Sequence, residues 1–459
     1  MIERPLRWTA RSLALYVLLE ARKKEAFVQD LLETAFRETS LSSADRGLAT
    51  QLVYGIFRRR GTLDVLLRHV VARPPRDVEP ILWETLRLGV FQLLFLSRIP
   101  AYSALHETVE LAVDFGIPRA KGFLNANLRS LTRLLTDDYV TVAAANALPI
   151  ADGRFRRLTA AALPDPALRP VEYASVGLSL PDWLVRRWLP RWGWDEIIRL
   201  GFWFGDQPGL WLRVNPARVS RQDYLDRLTA TGVSAMAGEH PQAIAIEHTI
   251  PIRDLPGYDE GLFVVQDLSA MLVASALDPK PDGRVLDLCA APGGKTTHLA
   301  ELMRDQGSIV ACDRDAHRLE PLKATIARLG LKSIEVVPLR DDQEPPAGPF
   351  DAVLVDVPCS NTGVLGRRPE ARWRLSEKEI TRMEPLQSKL LKMACDRVRP
   401  GGAVVYSTCS VEPDENGKVI TSLLQTNKDM ILERDHVSKP GLPADGGYWA
   451  RLRKNGGGS

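Results

Sequence analysis

The chain has 459 residues, 45% hydrophobic and 25% charged, and its 60 Lys and Arg against 57 Asp and Glu leave a formal net charge of +3. That length is too great for one ordinary core and predicts two or three domains, while so small a charge neither demands nor excludes a nucleic-acid partner. Five cysteines, all between Cys289 and Cys409 and none in a Cys-x-x-Cys pair, argue against a disulfide framework or a zinc cluster and for a reducing compartment.

The opening MIERPLRWTARSLALYVLLEARKK holds an apolar run too short and too interrupted for a signal peptide or membrane span, so a cytoplasmic protein is expected. From Trp8 to about Leu135 nearly every segment has helical periodicity. In SADRGLATQLVYGIFRRRG, Leu48, Leu52, Val53 and Ile56 share a face, with Ser43 as the expected N-cap and Gly61 as the expected stop. Residues 1–140 therefore read as an all-α domain. Basic clusters at Arg58 to Arg60, at Arg156 and Arg157, and at Arg186 and Arg187 read as solvated helix faces, with nucleic-acid contact as the competing reading. Residues 141–165, Ala-rich and then LPDPALRP, read as a linker. The span 166–265 reads as a middle segment in which six of the ten tryptophans fall between Trp183 and Trp211, a density expected of packing more than of ligand binding.

In the last part, 266–454, the strands VLDL, SIVACD, IEVVPL, FDAVLVD and AVVYST alternate with helical patterns, which predicts a doubly wound parallel sheet. Ligands of such sheets lie at the carboxyl ends of the strands. The first strand leads into CAAPGGKTTHLAEL, where Gly293 and Gly294 let the backbone approach a ligand before a helix starts, although this is not the dinucleotide G-x-G-x-x-G. Asp313, closing the second strand about twenty residues on, has the placement of a ribose-binding carboxylate. A nucleoside-containing cofactor follows. The fourth strand runs into DVPCSNTG and the fifth into YSTCSVEPDEN. These strands are neighbours in a sheet of this type, so Cys359 and Cys409 should face one crevice; a small buried hydrophobe is the bland alternative for either thiol.

DLCAAPGGKT, DVPCSNTG and YSTCSVEPDEN together resemble the RNA cytosine-5 methyltransferases of the Nop2/Sun type, which use S-adenosylmethionine. DRGLATQLVYGIFRRRGTLD, LRLGVFQLLFLSRIPAYSALHETVELA and GFLNANLRSL resemble the NusB-like helical RNA-binding domain. The resemblance covers nearly the whole chain, and only the final NGGGS looks foreign, so 455–459 is expected to be a tail. The implied fold class is multidomain: an all-α NusB-like N-terminal domain, a small α+β middle segment, and an α/β Rossmann-like class I methyltransferase domain. The implied partner is RNA, specifically small-subunit (16S) ribosomal RNA, with no membrane, no metal and a monomeric enzyme.

Carbon 5 of cytosine is too weak a nucleophile to take a methyl group directly, so a thiolate must first add to carbon 6 and make an enamine. Pattern alone does not choose between the two thiols. The resemblance implies Cys409 as the attacking thiol, Asp356 at the ring nitrogen, and Cys359 in removal of the carbon 5 proton. It also implies that Cys289, Ala290, Ala291, Pro292, Gly293, Gly294 and Lys295 wrap the methionine and ribose portions of the cofactor. Asp313 would hold the ribose hydroxyls and Asp356 the region near the sulfonium. The family usually has a Gly-Asp pair after the third strand. This chain reads PLRDDQEPP there, so Asp341 is expected at the adenine with Asp342 an equal candidate. Lys295 either holds a catalytic carboxylate or acts electrostatically on the helix. Arg367, Arg368, Arg372, Trp373 and Arg374 follow the Pro-Cys loop and are expected to contact RNA phosphates and stack on a base. The target base must leave its stack. A catalytically inactive RNA-binding assembly factor on the same fold is the competing reading, and the complete cofactor loop, both thiols and Asp356 stand against it.

Overall fold

Helices α1 (Ala10–Ala21), α2 (Val28–Arg37), α3 (Ser43–Val70), α4 (Pro80–Phe95), α5 (Ala101–Asp114) and α6 (Lys121–Leu134) follow the periodicity of the N-terminal sequence. Thr9 and Ser12 close a capping box at the start of α1. At α3 the cap is Ser42, one residue earlier than expected, and its hydroxyl accepts the Asp45 N–H at 3.1 Å. Gly61 does not stop that helix, which runs on to Val70. It is a close-approach position instead, since an added Cβ would lie 2.8 Å from Ser175 O and 3.1 Å from Ser179 Cα. Leu52, Val53, Leu63, Leu66 and Leu67 of α3 are buried against α1 and α4, each contributing about 1.5–3 kcal/mol by leaving water.

The structure is a computed structural model that describes residues 4–23, 26–151, 153–247, 250–340 and 343–456. It divides into two units: Met1–Pro208 with Leu365–Arg374, and Gly209–Val364 with Leu375–Ser459. The expected linker is not one. It carries most of an antiparallel sheet of β1 (Leu135–Val140), β2 (Ala147–Ala151) and β3 (Arg154–Leu158), in the order β1-β3-β2. Leu148, Phe155 and Leu158 are buried in the helical core, an alternation too short to stand out beside the Ala and Pro of that stretch. The middle segment is also divided. Helices α7 (Pro170–Gly177), α8 (Asp182–Trp192) and α9 (Trp194–Gly205) belong to the first unit, and the remainder to the second. The tryptophans there do pack: Trp188 is fully buried, 5.0 Å from the Trp192 ring and 6.1 Å from Phe204.

The second unit opens with a small sheet of β4 (Leu210–Val214), β5 (Ala235–Ala237), β6 (Ala243–Ile246) and β7 (Phe263–Val265), with helix α10 (Arg221–Ala230) against it. After α11 (Leu268–Leu277) comes the large sheet. Strands β8 (Arg284–Asp287), β9 (Ser308–Asp313), β10 (Ile334–Pro338), β11 (Phe350–Asp356) and β12 (Val398–Thr408) are parallel, as their Val/Ile/Leu-rich runs predict. Helices α12 (Gly294–Leu302), α13 (Ala316–Leu329), α14 (Ala371–Arg374), α15 (Glu377–Arg397) and α16 (Gly417–Thr426) follow in the chain, α14 lying in the first unit. Two further strands, β13 (Met430–Ser438) and β14 (Gly447–Lys454), add an antiparallel edge, so the sheet is mixed rather than wholly parallel. The order is β10-β9-β8-β11-β12-β14-β13. The order in which parallel strands are added reverses between β8 and β11, and the crevice of a doubly wound sheet opens at that switch point.

Candidate active site

Register assembles the site. Asp356 of β11 lies opposite Ser407 of β12, so the loops that leave these neighbouring strands start side by side. Cys359 and Cys409 follow, with their sulfurs 3.0 Å apart. The two thiols differ in setting. The hydrogen bond with Cys409, and then burial, hold the Cys359 thiol well above its ordinary pKa, whereas Cys409 is more open to the crevice. The Asn361 carbonyl oxygen accepts from Cys409 Sγ at 3.1 Å, and its amide donates to Cys359 O at 2.9 Å.

Beneath the thiols lies a carboxylate that the sequence reading passed over. Glu415 is fully buried, and among the described residues the donors on it are neutral: Ser360 N at 2.8 Å, the Ser360 and Ser410 hydroxyls, and Gln387 Nε2 at 3.0 Å. Ser360 follows Cys359 and Ser410 follows Cys409, so one side chain ties together the two loops that carry the sulfurs. The only legible signal was the repeat of Cys-Ser in DVPCSNTG and STCSVEPDEN. The loops also touch through Gly363, whose N–H donates to Cys409 O at 3.0 Å and whose missing Cβ would lie 2.4 Å from Gly446 O.

Asp356 is held from both sides. Lys295 Nζ donates to Oδ2 at 2.7 Å and the Ser407 hydroxyl to Oδ1 at 2.6 Å. Burial opposes the Lys295 charge, but pairing with Asp356 more than offsets it and the ammonium pKa is raised. Lys295 thus holds the Asp356 carboxylate.

The 289–295 loop lies between β8 and α12. Gly293 has φ +105°, and an added Cβ would meet Leu322 at 2.4 Å, so only glycine makes this turn. No side chain caps the amides that open α12. Asp313 at the end of β9 accepts from Ala291 N and Asp315 N, each at 3.0 Å, which fixes the 289–295 loop to the carboxylate and leaves its other lone pairs available. Asp287 Oδ1 is buried without a partner, while Thr296 donates to Oδ2 at 2.7 Å. Burial pushes the Asp287 carboxyl up to about 7. Uncapped helix amides, a strand-end carboxylate and an unfilled buried acceptor fit a nucleoside carrying an amino acid chain. Asp341 and Asp342 lie outside the described residues.

A second unanticipated residue supports this loop. Arg213 of β4 is fully buried, ion-paired with Glu301 at 2.8 Å, and donates to Gly294 O at 2.7 Å and Thr297 Oγ1 at 3.0 Å. The small sheet thereby holds the first turn of the cofactor helix.

The arginine-rich segment after the Pro-Cys loop departs most from expectation. Residues 365–374 fold into the first unit. Arg372 is 1% exposed and donates to the carbonyls of Arg58, Ser179, Phe204 and Leu365. It is an internal anchor, not an exposed RNA contact, because its donors are committed to backbone. Trp373 Nε1 donates to Phe57 O at 2.9 Å and Arg374 to Ala26 O at 2.7 Å. Arg368 lies over the Phe27 ring, and Arg367 is half-buried. Nor are Arg58 and Arg59 a solvated face, since both are buried.

The sequence matches a family model described as 16S rRNA methyltransferase RsmB/F over residues 274–446, the NusB family over 9–133, and the RsmF/B-like ferredoxin-like domain over 180–253. It is 37% identical to a probable ribosomal RNA small subunit methyltransferase B of Synechocystis, covering 94% of this chain and 92% of that protein. A protein of the same description from Bacillus subtilis is 33% identical, with 92% and 89% covered. The crystal structure of PH0851 superposes with a TM-score of 0.76 at 25% identity, over 98% of this chain and all of that one. With a helical unit, a small sheet and two strand-end thiols beside a cofactor crevice, the chain belongs to the RsmB/F family of 16S rRNA methyltransferases.

Proposed function

We propose that this chain methylates carbon 5 of a cytosine in small-subunit (16S) ribosomal RNA, through a covalent bond between Cys409 and carbon 6 of the base. The observation that carries the reading is the pair of unequal thiols 3.0 Å apart beside Asp356 and Lys295. S-adenosylmethionine, held by residues 289–295 and Asp313, supplies the methyl group as an activated sulfonium.

The Cys409 thiolate adds to carbon 6, and the electron pair of the carbon 5–carbon 6 bond becomes available for bonding at carbon 5. Asp356, with Lys295 as its proton partner, holds the ring nitrogen edge and steadies the charge that develops there. After carbon 5 has gained its methyl group, its proton must leave. Once Cys409 is bonded to carbon 6, the hydrogen bond that holds the Cys359 proton is gone; Cys359 then gives that proton to solvent, accepts the carbon 5 proton as a thiolate, and the carbon 6–sulfur bond breaks to restore the Cys409 thiolate. The base reaches the thiols only when out of its stack, so a single-stranded or loop cytosine is the substrate. Either Asp341 or Asp342 serves the adenine, and Arg367, Arg368 and Arg374 contact RNA. The enzyme acts as a monomer in the cytoplasm, where thiols stay reduced. Among the described residues no helix is long and apolar enough to cross a membrane.

Tritium transfer from methyl-labelled S-adenosylmethionine to small-subunit RNA, followed by nuclease digestion, tests the reading. Label in 5-methylcytosine is the expected result. Label in another nucleoside overturns the cytosine assignment, and no transfer by the wild type leaves an RNA-binding protein only.

A further inference from the structure

Within the first unit, a cavity of about 340 Å³ opens between α3, α4 and the β1-β3-β2 sheet. Its volume lies in the lower part of the roughly 300–1,000 Å³ range of small-ligand sites. Arg58, Arg59 and Arg154 line it, with Asp206 as the opposing charge. Asp206 is committed to Arg59 at 2.5 Å. Arg58 uses Nε on Gly366 O at 2.9 Å, and among the described residues no hydrogen bond takes its two terminal nitrogens. Among the described residues, Arg59 Nη1 is buried without a hydrogen-bond partner. Burial pulls the Arg58 guanidinium down to about 10. A buried cation with unmet donors is costly unless an anion completes it, so the fold bears that cost where an anion binds.

The rest of the lining says which kind of anion. The Phe95 ring lies under Arg59, 4.8 Å from its Cζ, and the half-exposed Tyr139 ring stands at the rim beneath Arg154. Gln51 adds an amide. Guanidinium groups beside aromatic faces are the pattern that holds a phosphate and stacks the base attached to it. We propose that this cavity is an RNA subsite that takes one phosphate and its base from a single-stranded stretch of the substrate, remote in sequence from the thiols. The inference rests on the RNA-substrate reading above and adds to it a specific contact surface built from α3, the linker sheet and the end of α9.

The test uses the full chain and a short fluorescein-labelled single-stranded oligoribonucleotide at several salt concentrations. Arg58→Gln and Arg154→Gln should each weaken binding roughly tenfold. Each should also reduce the slope of log affinity against log salt by about 1. Since Arg58→Gln also loses the bond to Gly366 and can misfold, the rim variant Arg154→Gln decides. Affinity within twofold of wild type with an unchanged slope overturns the proposal. A 4-thiouridine oligonucleotide should crosslink to the peptide containing Tyr139 or Phe95, and crosslinks confined to residues after 208 overturn it. Equimolar CMP should not suppress that crosslink. If it does, the site takes free nucleotide rather than a strand. Tritium transfer by the wild type, run alongside, separates the two readings: methylation with no cavity effect removes only the subsite, and cavity binding without methylation removes only the activity.

Discussion

Cys359 and Cys409 differ in setting: the hydrogen bond with Cys409, and then burial, hold the Cys359 thiol well above its ordinary pKa, and Cys409 is more open to the crevice. On the mechanism proposed above, Cys409→Ala removes the attacking group, so neither methylated RNA nor a protein–RNA adduct should form. On the same mechanism Cys359→Ala should still permit attack and methylation but slow release. Incubated with S-adenosylmethionine and RNA, it should accumulate a complex that survives denaturing electrophoresis. An adduct with Cys409→Ala and none with Cys359→Ala would reverse the roles. Asp287 carries a second residue-scale prediction. Its folded pKa of about 7 lies above the ordinary 3.8, so the native state keeps a proton that the unfolded chain gives up from about pH 4 onward. The stabilisation is full below that value and is lost as pH rises to about 7, at up to about 1.4 kcal/mol per pH unit. Denaturant unfolding of the cofactor-free protein should show this decline in wild type and a flatter profile in Asp287→Asn; parallel profiles would exclude it.

At the scale of elements, the site depends on strand register and on the ties between loops. Parallel pairing of β11 with β12 sets Asp356 opposite Ser407, and Glu415 then joins the loops through Ser360 and Ser410. Glu415→Gln puts a donor where donors already converge and should leave one of them unpaired, at a cost of about 1–3 kcal/mol. The thiols lose their mutual placement while the cofactor loop, held separately by Arg213 and Asp313, does not. The expected result is a kcat reduced at least tenfold, about 1.4 kcal/mol of transition-state stabilisation, with S-adenosylmethionine affinity by calorimetry unchanged. Equal loss of both would mean that Glu415 supports the fold alone. Helix α3 makes the same point about close packing. Gly61→Ala pushes a methyl group to 2.8 Å from the Ser175 carbonyl, and a loss of about 1–3 kcal/mol by chemical denaturation is expected.

At the scale of the whole molecule, the first unit extends well past the helices that resemble NusB. Its core includes Phe155 and Leu158 from the sheet and Tyr173 and Phe202 from the later helices. A fragment ending at residue 140 removes these and strips β1 of its partner β3. A fragment ending at residue 208 keeps them and lacks only residues 365–374 of the unit. Calorimetry should therefore show a cooperative transition for 1–208 and a broad or absent one for 1–140; equal cooperativity would mean that the helical bundle is sufficient by itself.

The local features of this fold were legible in the sequence because they depend on neighbours in the chain. Helical periodicity marked α1 to α6, β-branched runs marked β8 to β12, and the glycine turn, Asp313, Asp356 and both thiols stood at strand ends where chemistry is expected. The two thiols could be placed in one crevice because adjacent parallel strands end together. What depended on distant partners was not legible. The linker became a sheet because Phe155 and Leu158 have a helical core to enter, and Gly61 continued a helix because a later helix presses on it. Residues 365–374 left the catalytic unit because backbone carbonyls from three other segments converge on Arg372. Glu415 and Arg213 read as ordinary charges, since nothing in a linear sequence says that a carboxylate will be buried among neutral donors or that a guanidinium will reach a helix eighty residues away. Periodicity and strand-end placement marked most of the elements and the candidate site residues, and tertiary packing alone decided which of them are held, by what, and at what distance.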